Sequence, residues 1–331
     1  MPSLIDNHGR PINYVRLAIT DRCNLRCTYC MPEQGIDFGP RSTLLQYEEM
    51  LRLMRILADM GINKVRITGG EPFVRRDVMD LFQGLAAIDG ITKIALTTNG
   101  TLTQTHLPAL WDLGVRQINL SLDTLDRSRF FQITRRDEFD TVWATFMAML
   151  EQQFEVKINV VLLQGQNDMD IIPFVKLTQD LPVSVRFIEE MPFNGGDAAQ
   201  GKLYWDWKRI ESVIQSEFPQ INKIPDPPYS TALNYSIPDF AGSVGIIPAY
   251  SRTFCGTCNR LRVTPQGLLK TCLYDQGVFN IRDLMRAGAT DAEIQTALLE
   301  AIGSRAKDGY EAENRRLSGF PARESMTTIG G

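Results

Sequence analysis

Hydrophobic and polar residues follow a repeating pattern between residues 14 and 218. Short runs rich in β-branched residues alternate with segments whose apolar residues recur every three or four positions. This alternation is typical of βα units that build a parallel sheet. The predicted strands are Tyr14–Thr20, Lys64–Thr68, Lys93–Thr98, Gln117–Asp123, Val156–Leu163 and Val183–Glu189. The predicted helices between them include Tyr47–Met60, Asp77–Ile88, Phe139–Gln152 and Ile171–Gln179. Six βα units are fewer than a closed barrel needs, so we expect an α/β fold with an open, partial TIM-like (β/α)6 barrel.

The pattern changes after the helical segment Trp205–Phe218. Pro225, Pro227 and Pro228 indicate a linker, and short strand-like runs and a helical segment at Ala292–Ile302 follow it. We therefore predict a barrel domain over residues 1–220 and a smaller C-terminal α+β domain over residues 221–331, which ends in a polar tail.

Each predicted strand has one apolar and one polar face. On the first strand, for example, Val15 and Leu17 alternate with Arg16. Parallel strands covered on both sides are normally apolar throughout, so we assign the polar faces to the lumen of the barrel. The basic residues on these faces are Arg16, Lys64, Arg66, Lys157 and Arg186. Cations in a lumen require an anion. The alternative for any one of them is that the strand is turned the other way and the base faces solvent.

Composition narrows the possible partners. The chain of 331 residues has a net charge of -4, and its pI of about 5.4 argues against a nucleic-acid polymer. The segment Met1–Arg10 is polar, and no apolar run is long enough for a membrane span. We therefore expect a cytoplasmic protein with no membrane partner.

In a reducing compartment, its six cysteines favour metal or redox chemistry over disulfides.

The first three cysteines, Cys23, Cys27 and Cys30, lie in the loop after the first predicted strand, where barrel enzymes build their active sites. Three thiolates can ligate three irons of a [4Fe–4S] cluster and leave the fourth iron open. Structural zinc needs a fourth ligand, and neither histidine of the chain, His8 or His106, is adjacent to these cysteines. The first triad therefore predicts an iron–sulfur cluster.

The second three cysteines are Cys255, Cys258 and Cys272. A CxxC pair followed by a later cysteine is also typical of a zinc ribbon, which needs four ligands. No histidine follows His106. Taken alone, this triad is compatible both with a second iron–sulfur cluster and with zinc.

The first triad, with Tyr29 before its last cysteine, resembles the motif of radical S-adenosylmethionine enzymes. The run Thr68-Gly-Gly-Glu-Pro72 is similar to that superfamily's motif for the methionine amino group. Glycines permit close approach of backbone to a ligand, and the Glu71 carboxylate can accept hydrogen bonds from an ammonium group. The resemblance implies the S-adenosylmethionine contacts Tyr29, Gly69, Gly70, Glu71, Ser121 and Met191.

From Arg16 to Gly331 the chain resembles the GTP 3′,8-cyclase family of molybdenum cofactor biosynthesis. The matching motifs are Cys255-Gly-Thr-Cys258-Asn-Arg-Leu-Arg262, Lys64-Val-Arg66 and the ending Ile329-Gly-Gly331. The resemblance implies two [4Fe–4S] clusters, one for S-adenosylmethionine and one that contacts guanine. The GTP-binding residues it implies are Arg16, Lys64, Arg66, Thr97, Lys157, Arg186, Arg260 and Arg262.

Two features of this resemblance have simpler alternatives. Arg260 and Arg262 share one face of a predicted strand, where they would equally form a solvated basic pair. Gly330 and Gly331 would equally form a disordered end, whereas the family inserts this tail into the active site.

The resemblance also implies a reaction. An external one-electron reductant drives cleavage of S-adenosylmethionine, the resulting radical takes the hydrogen from C3′ of GTP, and C3′ then bonds to C8. The product is 3′,8-cyclo-7,8-dihydro-GTP, so the enzyme is a lyase, and a homodimer is the family expectation. The catalytic residues implied are Cys23, Cys27, Cys30, Arg260 and Arg262. The rival hypotheses are a radical enzyme that modifies peptides and a zinc-ribbon module that binds nucleic acid.

Overall fold

The computed structural model describes residues 4–31, 36, 38–191, 202–315 and 325–329. Its strands are β1 Tyr14–Ala18, β2 Lys64–Thr68, β3 Lys93–Thr98, β4 Gln117–Ser121, β5 Glu155–Val161, β6 Ser184–Ile188, β7 Asn222–Lys223, β8 Leu233–Ser236, β9 Ser243–Ile247, β10 Arg260–Val263 and β11 Leu269–Lys270. Its helices are α1 Tyr47–Asp59, α2 Val78–Ala86, α3 Leu107–Asp112, α4 Arg127–Thr134, α5 Phe139–Glu151, α6 Ile171–Asp180, α7 Trp207–Glu217, α8 Ile281–Arg286, α9 Asp291–Gly303, α10 Gly309–Asn314 and α11 Met326–Ile329. No helix in these ranges is both long and apolar enough to cross a membrane.

All eleven strands form one sheet with the order β11-β10-β1-β2-β3-β4-β5-β6-β9-β8-β7. The strands from β10 to β9 in this order are parallel, and β11, β8 and β7 add antiparallel pairs at the two ends. The order has two ends and does not close on itself. The predicted open α/β barrel is therefore confirmed, and the six strands that the sequence predicts form its centre.

The sequence pattern indicated short strands after the linker, but it did not indicate that two of them flank those six in parallel. Strand β9 pairs with β6, and β10 pairs with β1. Hydrophobic periodicity reports which face of a strand is buried, but it does not report which distant strand lies beside it. The sheet is therefore continuous across the boundary predicted near residue 220, which remains a prediction.

The apolar faces of the strands pack against the helices. Val15 and Ile67 are fully buried, as are Leu53 and Leu57 of α1. Helix α1 begins with a capping box, in which the Gln46 backbone N–H donates to the Glu49 side chain. This core holds the strands rigidly, so their opposite faces form a fixed lumen.

Candidate active site

The cysteine loop after β1 is fixed by backbone hydrogen bonds on both sides. The Arg26 and Thr28 amides donate to carbonyls at the C-terminal end of α4, and the Cys30 amide donates to the Cys27 carbonyl at 3.0 Å. Cys23, Cys27 and Cys30 are free thiols that line one cavity at the carboxyl ends of the strands. Burial raises the pKa of Cys23 to about 11 and that of Cys30 to about 12. A positively charged metal is what converts such thiols into thiolates.

The two glycines after β2 pack directly against this loop. The Gly70 amide donates to the Thr20 carbonyl at 2.7 Å. A Cβ on Gly69 would lie 2.4 Å from the Thr20 oxygen, and one on Gly70 would lie 2.2 Å from the Arg22 oxygen. Both glycines also line the cavity. These two glycines therefore allow two backbone segments to pack closely together. The sequence did not reveal this requirement.

Glu71 lies behind the cavity wall and is fully buried. Its carboxylate accepts hydrogen bonds from the Asn99 amide at 2.7 Å and from the Thr98 hydroxyl at 2.9 Å. Burial raises the pKa of Glu71 to about 7 against these hydrogen bonds. The structure thus gives Glu71 a bracing contact between the turns after β2 and β3, and its contact with a ligand ammonium remains a prediction.

The cavity brings together residues from the carboxyl ends of six strands, β1 to β6. Those that the sequence predicts are Tyr29, Gly69, Gly70, Thr97, Ser121 and Met191. The polar residues that sequence reasoning missed include Asn99, Asp123, Asn159, Glu190 and Thr327. Asn99 and Glu190 come directly after predicted strands and Asp123 ends one, which is the signal that would have found them.

Asp123 fixes the aromatic residue of the first triad. The Tyr29 hydroxyl donates to Asp123 Oδ2 at 2.8 Å, and the Val161 amide donates to Oδ1 at 2.9 Å. Burial raises the pKa of Asp123 to about 6. Asn99 completes this side of the cavity, with its Nδ2 3.6 Å from the sulfur of Cys23. The polar groups around the cysteines are thus held in place before any ligand arrives.

The C-terminal segment 325–329 reaches the same cavity. The Ser325 hydroxyl donates to the Cys30 carbonyl at 2.7 Å, and Met326 and Thr327 line the cavity. Gly330 and Gly331 lie outside the described residues, so their insertion into the site remains a prediction. The segment just before them is part of the site wall.

The predicted bases lie together in the lumen. The parallel register places Arg262, Arg16 and Arg66 side by side on β10, β1 and β2. The positive charge of Arg66 repels Lys157 on β5 and Arg186 on β6 and contributes to lowering the pKa of each. A Cβ on Gly245 of β9 would lie 3.2 Å from Arg186 Cγ, so this glycine leaves room for the arginine.

The bases lie at the amino-terminal ends and in the middle of their strands. Lys64 and Arg260 are the first residues of β2 and β10. The cysteine loop is at the opposite, carboxyl end. Thr97 connects the cysteine-lined cavity with the lumen bases, because it lines the cavity and its hydroxyl is 3.5 Å from Arg66 Nη1.

The electrostatics of the lumen are those of an anion site. Burial and then repulsion by Arg186 and Arg66 lower the pKa of Lys157 to about 8. Burial and then repulsion by Arg66 lower the pKa of Arg186 to about 10. Among the described residues, no ion pair involves Lys64, Arg66, Lys157, Arg186 or Arg260. Among the residues that the structure describes, the buried Nε atoms of Arg186 and Arg260 have no hydrogen-bond acceptor. Cations buried in this way are stabilised by an anion that enters the lumen.

The second triad is braced by two buried arginines. Arg305 Nη2 lies 3.6 Å from the sulfur of Cys258, and Arg10 Nη1 donates to the Cys255 carbonyl at 3.1 Å. Asp6 is fully buried and accepts hydrogen bonds from both arginines, at 2.7 Å and 3.0 Å. The side chain of Asp275 accepts a hydrogen bond from the Cys272 amide. The two cysteine-bearing turns are therefore tied to each other and to the N-terminal segment.

The thiols of the second triad differ from one another. Burial raises the pKa of Cys272 to about 11. Burial acts in the same direction on Cys258, but Arg260 and Arg305 outweigh it and lower its pKa to about 6. In the described part of the chain, no three His, Cys, Asp or Glu side chains surround a point where one metal ion would sit. Each triad offers only sulfur donors, which fits an iron–sulfur cluster.

The fold and the site together define a class. The Radical SAM superfamily model matches residues 17–178, and the Molybdenum Cofactor Synthesis C model matches residues 183–311. Two solved structures share the fold. SuiB of Streptococcus suis has a TM-score of 0.60 at 15% identity over 96% of this chain and 78% of its own. The protein anSMEcpe with bound AdoMet has a TM-score of 0.54 at 14% identity over 91% of this chain and 80% of its own.

Sequence relatives give the particular family. GTP 3′,8-cyclase of Moorella thermoacetica is 41% identical over 328 residues, which are 98% of this chain and 99% of that one. The mitochondrial GTP 3′,8-cyclase of Arabidopsis thaliana is 39% identical over 99% of this chain and 83% of its own. The chain therefore belongs to the GTP 3′,8-cyclase family of the radical SAM superfamily. It spans about half the length of other curated relatives, such as moc-5 of Caenorhabditis elegans, which is 37% identical over 100% of this chain and 55% of its own.

Proposed function

We propose that this chain converts GTP to 3′,8-cyclo-7,8-dihydro-GTP, the first step of molybdenum cofactor biosynthesis, and acts as a lyase with S-adenosylmethionine and two [4Fe–4S] clusters. The observation that carries this proposal is the arrangement of the lumen. A cysteine-lined cavity lies at the carboxyl ends of the strands, and a cluster of buried cations lies below it on the same strands. The relatives named GTP 3′,8-cyclase support the same reaction.

The cofactor-binding groups follow from the donor sets. Cys23, Cys27 and Cys30 would hold the cluster that binds S-adenosylmethionine, whose other contacts would come from the cavity wall. Cys255, Cys258 and Cys272 would hold the second cluster, near the guanine. When bound, the first cluster and S-adenosylmethionine supply the one-electron chemistry that removes a hydrogen from an unactivated carbon.

The role of the lumen bases is to hold the triphosphate. Arg16, Arg66 and Arg262 form one row, and the planar guanidinium of each can bind two phosphate oxygens. Lys157 and Arg186 reach the same space from β5 and β6. Fixing the triphosphate below the cavity fixes the ribose within it, and correct placement of the reacting carbon contributes a large part of the rate enhancement.

Part of the cavity wall is apolar. Met191, Met326 and Phe130 line it together with the cysteines. An apolar wall matters because a reactive species generated there must not meet solvent or another hydrogen donor. The chain thus supplies binding, placement and shielding.

A peptide-modifying radical enzyme is the main alternative. An uncharged peptide backbone would leave the buried Lys157 and Arg186 without a counter-charge, which the lumen electrostatics disfavour. A zinc-ribbon module for nucleic acid is a second alternative, and metal analysis that finds zinc without iron or sulfide would establish it.

An anaerobic assay tests the proposal. Reconstituted protein is incubated with dithionite, S-adenosylmethionine and GTP, and the products are identified by mass spectrometry. The proposal predicts 5′-deoxyadenosine together with a cyclised product isomeric with GTP. Formation of 5′-deoxyadenosine with unchanged GTP would show that the substrate is a different molecule. An external reductant, a homodimer, a cytoplasmic location and the absence of a nucleic-acid partner remain predictions.

A further inference from the structure

Tyr14 lies in the middle of the lumen bases. It is the first residue of β1, two positions before Arg16, and pairs in register with Lys64 on β2 and Arg260 on β10. Its hydroxyl oxygen accepts a hydrogen bond from Arg66 Nε at 2.8 Å. The ammonium of Lys64 is 4.9 Å from the centre of its ring. None of the roles assigned above uses this tyrosine.

The surroundings of Tyr14 favour its ionised form. Burial opposes ionisation, but the charges of Arg66, Arg16, Lys64 and Arg260 outweigh burial and lower the pKa of Tyr14 to about 7. Arg186 and Arg262 also interact with it. The described strands carry one acidic residue, Glu155, which is exposed and accepts a hydrogen bond from Gln117. The phenol oxygen is thus placed to offset part of the positive charge of the lumen.

We propose that Tyr14 is the internal counter-anion of the lumen bases, whose oxygen holds Arg66 in the free protein and takes up a proton when a polyphosphate anion enters. The inference rests on the proposed function for the identity of that anion, the triphosphate of GTP. A polyphosphate brings negative charge to the guanidinium groups that stabilise the phenolate, so the phenolate loses its advantage. The proton comes from solvent, and the oxygen of the neutral hydroxyl can still accept the hydrogen bond from Arg66. Tyr14 is a positioning residue, since it acts through Arg66.

This coupling makes anion binding depend on pH. If binding takes up one proton, the dissociation constant rises roughly tenfold for each pH unit above the pKa of the free protein's phenol. Lys157, with its pKa of about 8, would also gain a proton beside an anion. Proton uptake alone is therefore insufficient as a test, and the near-ultraviolet absorbance of tyrosinate, which a lysine does not change, is the discriminating signal.

The experiment uses the anaerobically reconstituted protein and inorganic triphosphate, which has no absorbance of its own in this region. Titration slightly above neutral pH should remove tyrosinate absorbance in proportion to the bound triphosphate. Tyr14→Phe should abolish this change and make the dissociation constant less dependent on pH. Tyr47→Phe is the matched control, because the Tyr47 hydroxyl donates to the Arg76 carbonyl on the outer surface. That variant should retain the whole signal.

Each outcome of these titrations supports or overturns the inference. Saturation with no loss of tyrosinate absorbance in the wild-type protein, an undiminished loss in Tyr14→Phe, or no binding of triphosphate would overturn the inference. The wild-type titration suffices if Tyr14→Phe does not fold. GTP turnover is measured separately on the wild-type protein. Turnover without the tyrosinate signal would overturn the inference alone, whereas the signal without turnover of GTP would overturn the proposed function alone.

Discussion

At the scale of single residues, the lumen concentrates positive charge that the described residues offset only in part. Arg66 shows how such a cation is held. Its Nη1 donates to the Leu96 carbonyl at 2.6 Å and its Nε donates to the Tyr14 oxygen. The backbone contact fixes the direction of the guanidinium, so its remaining donors face the lumen. This arrangement is prepared for a ligand rather than needed for folding.

Arg66→Ala should weaken GTP binding while both clusters remain. Loss of hydrogen bonds between an arginine and phosphate costs about 1.5–3 kcal/mol, which is roughly a tenfold to hundredfold increase in Kd. Calorimetric titration with GTP and iron analysis measure the two properties. Arg127→Ala, which removes an exposed arginine paired with Asp137, is the control. Unchanged affinity in Arg66→Ala would remove this residue from the site.

Gly70→Ala should disrupt the first cysteine loop. The added Cβ would lie 2.2 Å from the Arg22 carbonyl, so the backbone must move. Overpacking of this kind costs about 1–3 kcal/mol or more. We expect a lower thermal unfolding temperature and loss of iron from the first triad. Gly303→Ala is the matched control, because a Cβ there meets no atom within 4 Å. Equal behaviour of the two variants would contradict the packing role.

The sequence predicted the lumen bases well, because period-2 alternation places Arg16 and Arg66 on the face opposite the apolar core. It did not predict that Gly70 packs against the cysteine loop or that Glu71 braces two turns. These contacts join chain segments that come together only in the tertiary fold. Tyr14 was missed for a related reason. A tyrosine at the start of a strand carries no signal until its charged neighbours on β2 and β10 are known.

At the scale of elements, the turns at the carboxyl ends of β1, β2 and β3 form one hydrogen-bonded unit. Glu71 connects them, since its own amide donates to Arg22 and its carboxylate accepts from Asn99. The cysteine loop therefore depends on a residue that lies behind the cavity wall. Stability of this unit should respond to the ionisation of Glu71.

The contribution of Glu71 to stability should fall as pH rises. The pKa of Glu71 in the folded protein, about 7, lies above its ordinary value of 4.5. The folded state therefore favours the protonated form, and this contribution is complete below about pH 4.5 and is lost as pH rises through about 7. Thermal unfolding of Glu71→Gln across this range should lack that part of the pH dependence. Glu300→Gln, at an exposed site on α9, should keep it. A pH dependence unchanged by Glu71→Gln would contradict the assignment.

Arg305→Ala should release the second cluster selectively. Arg305 contacts the sulfur of Cys258 and pairs with the buried Asp6, so its removal takes away one of the two arginines that pair with this carboxylate. Loss of such an outer partner lowers metal affinity about 10–100-fold. Iron analysis after chelator treatment should show that roughly half of the iron is lost. Arg315→Ala, which removes an exposed arginine paired with Glu311, should lose none. Retention of all iron in Arg305→Ala would contradict the bracing role.

At the scale of the whole molecule, the C-terminal region extends both ends of the sheet that the N-terminal region begins. Strand β10 adds Arg260 and Arg262 beside Tyr14 and Arg16. Segment 325–329 returns to the first triad through Ser325. The sequence indicated an open barrel and two cysteine triads, but it could not indicate this pairing of regions 246 residues apart. The lumen and the cavity are therefore lined by residues from both the N-terminal and the C-terminal region.

The central claim is that one lumen holds GTP with its C3′ beside the first cysteine triad. The most direct measurement uses GTP deuterated at C3′ under the anaerobic assay conditions. If GTP binds in this way, the 5′-deoxyadenosine formed should carry deuterium. Inorganic triphosphate should suppress this transfer, because it competes for the lumen bases. Formation of 5′-deoxyadenosine free of deuterium, with the label retained in GTP, would contradict this placement of GTP.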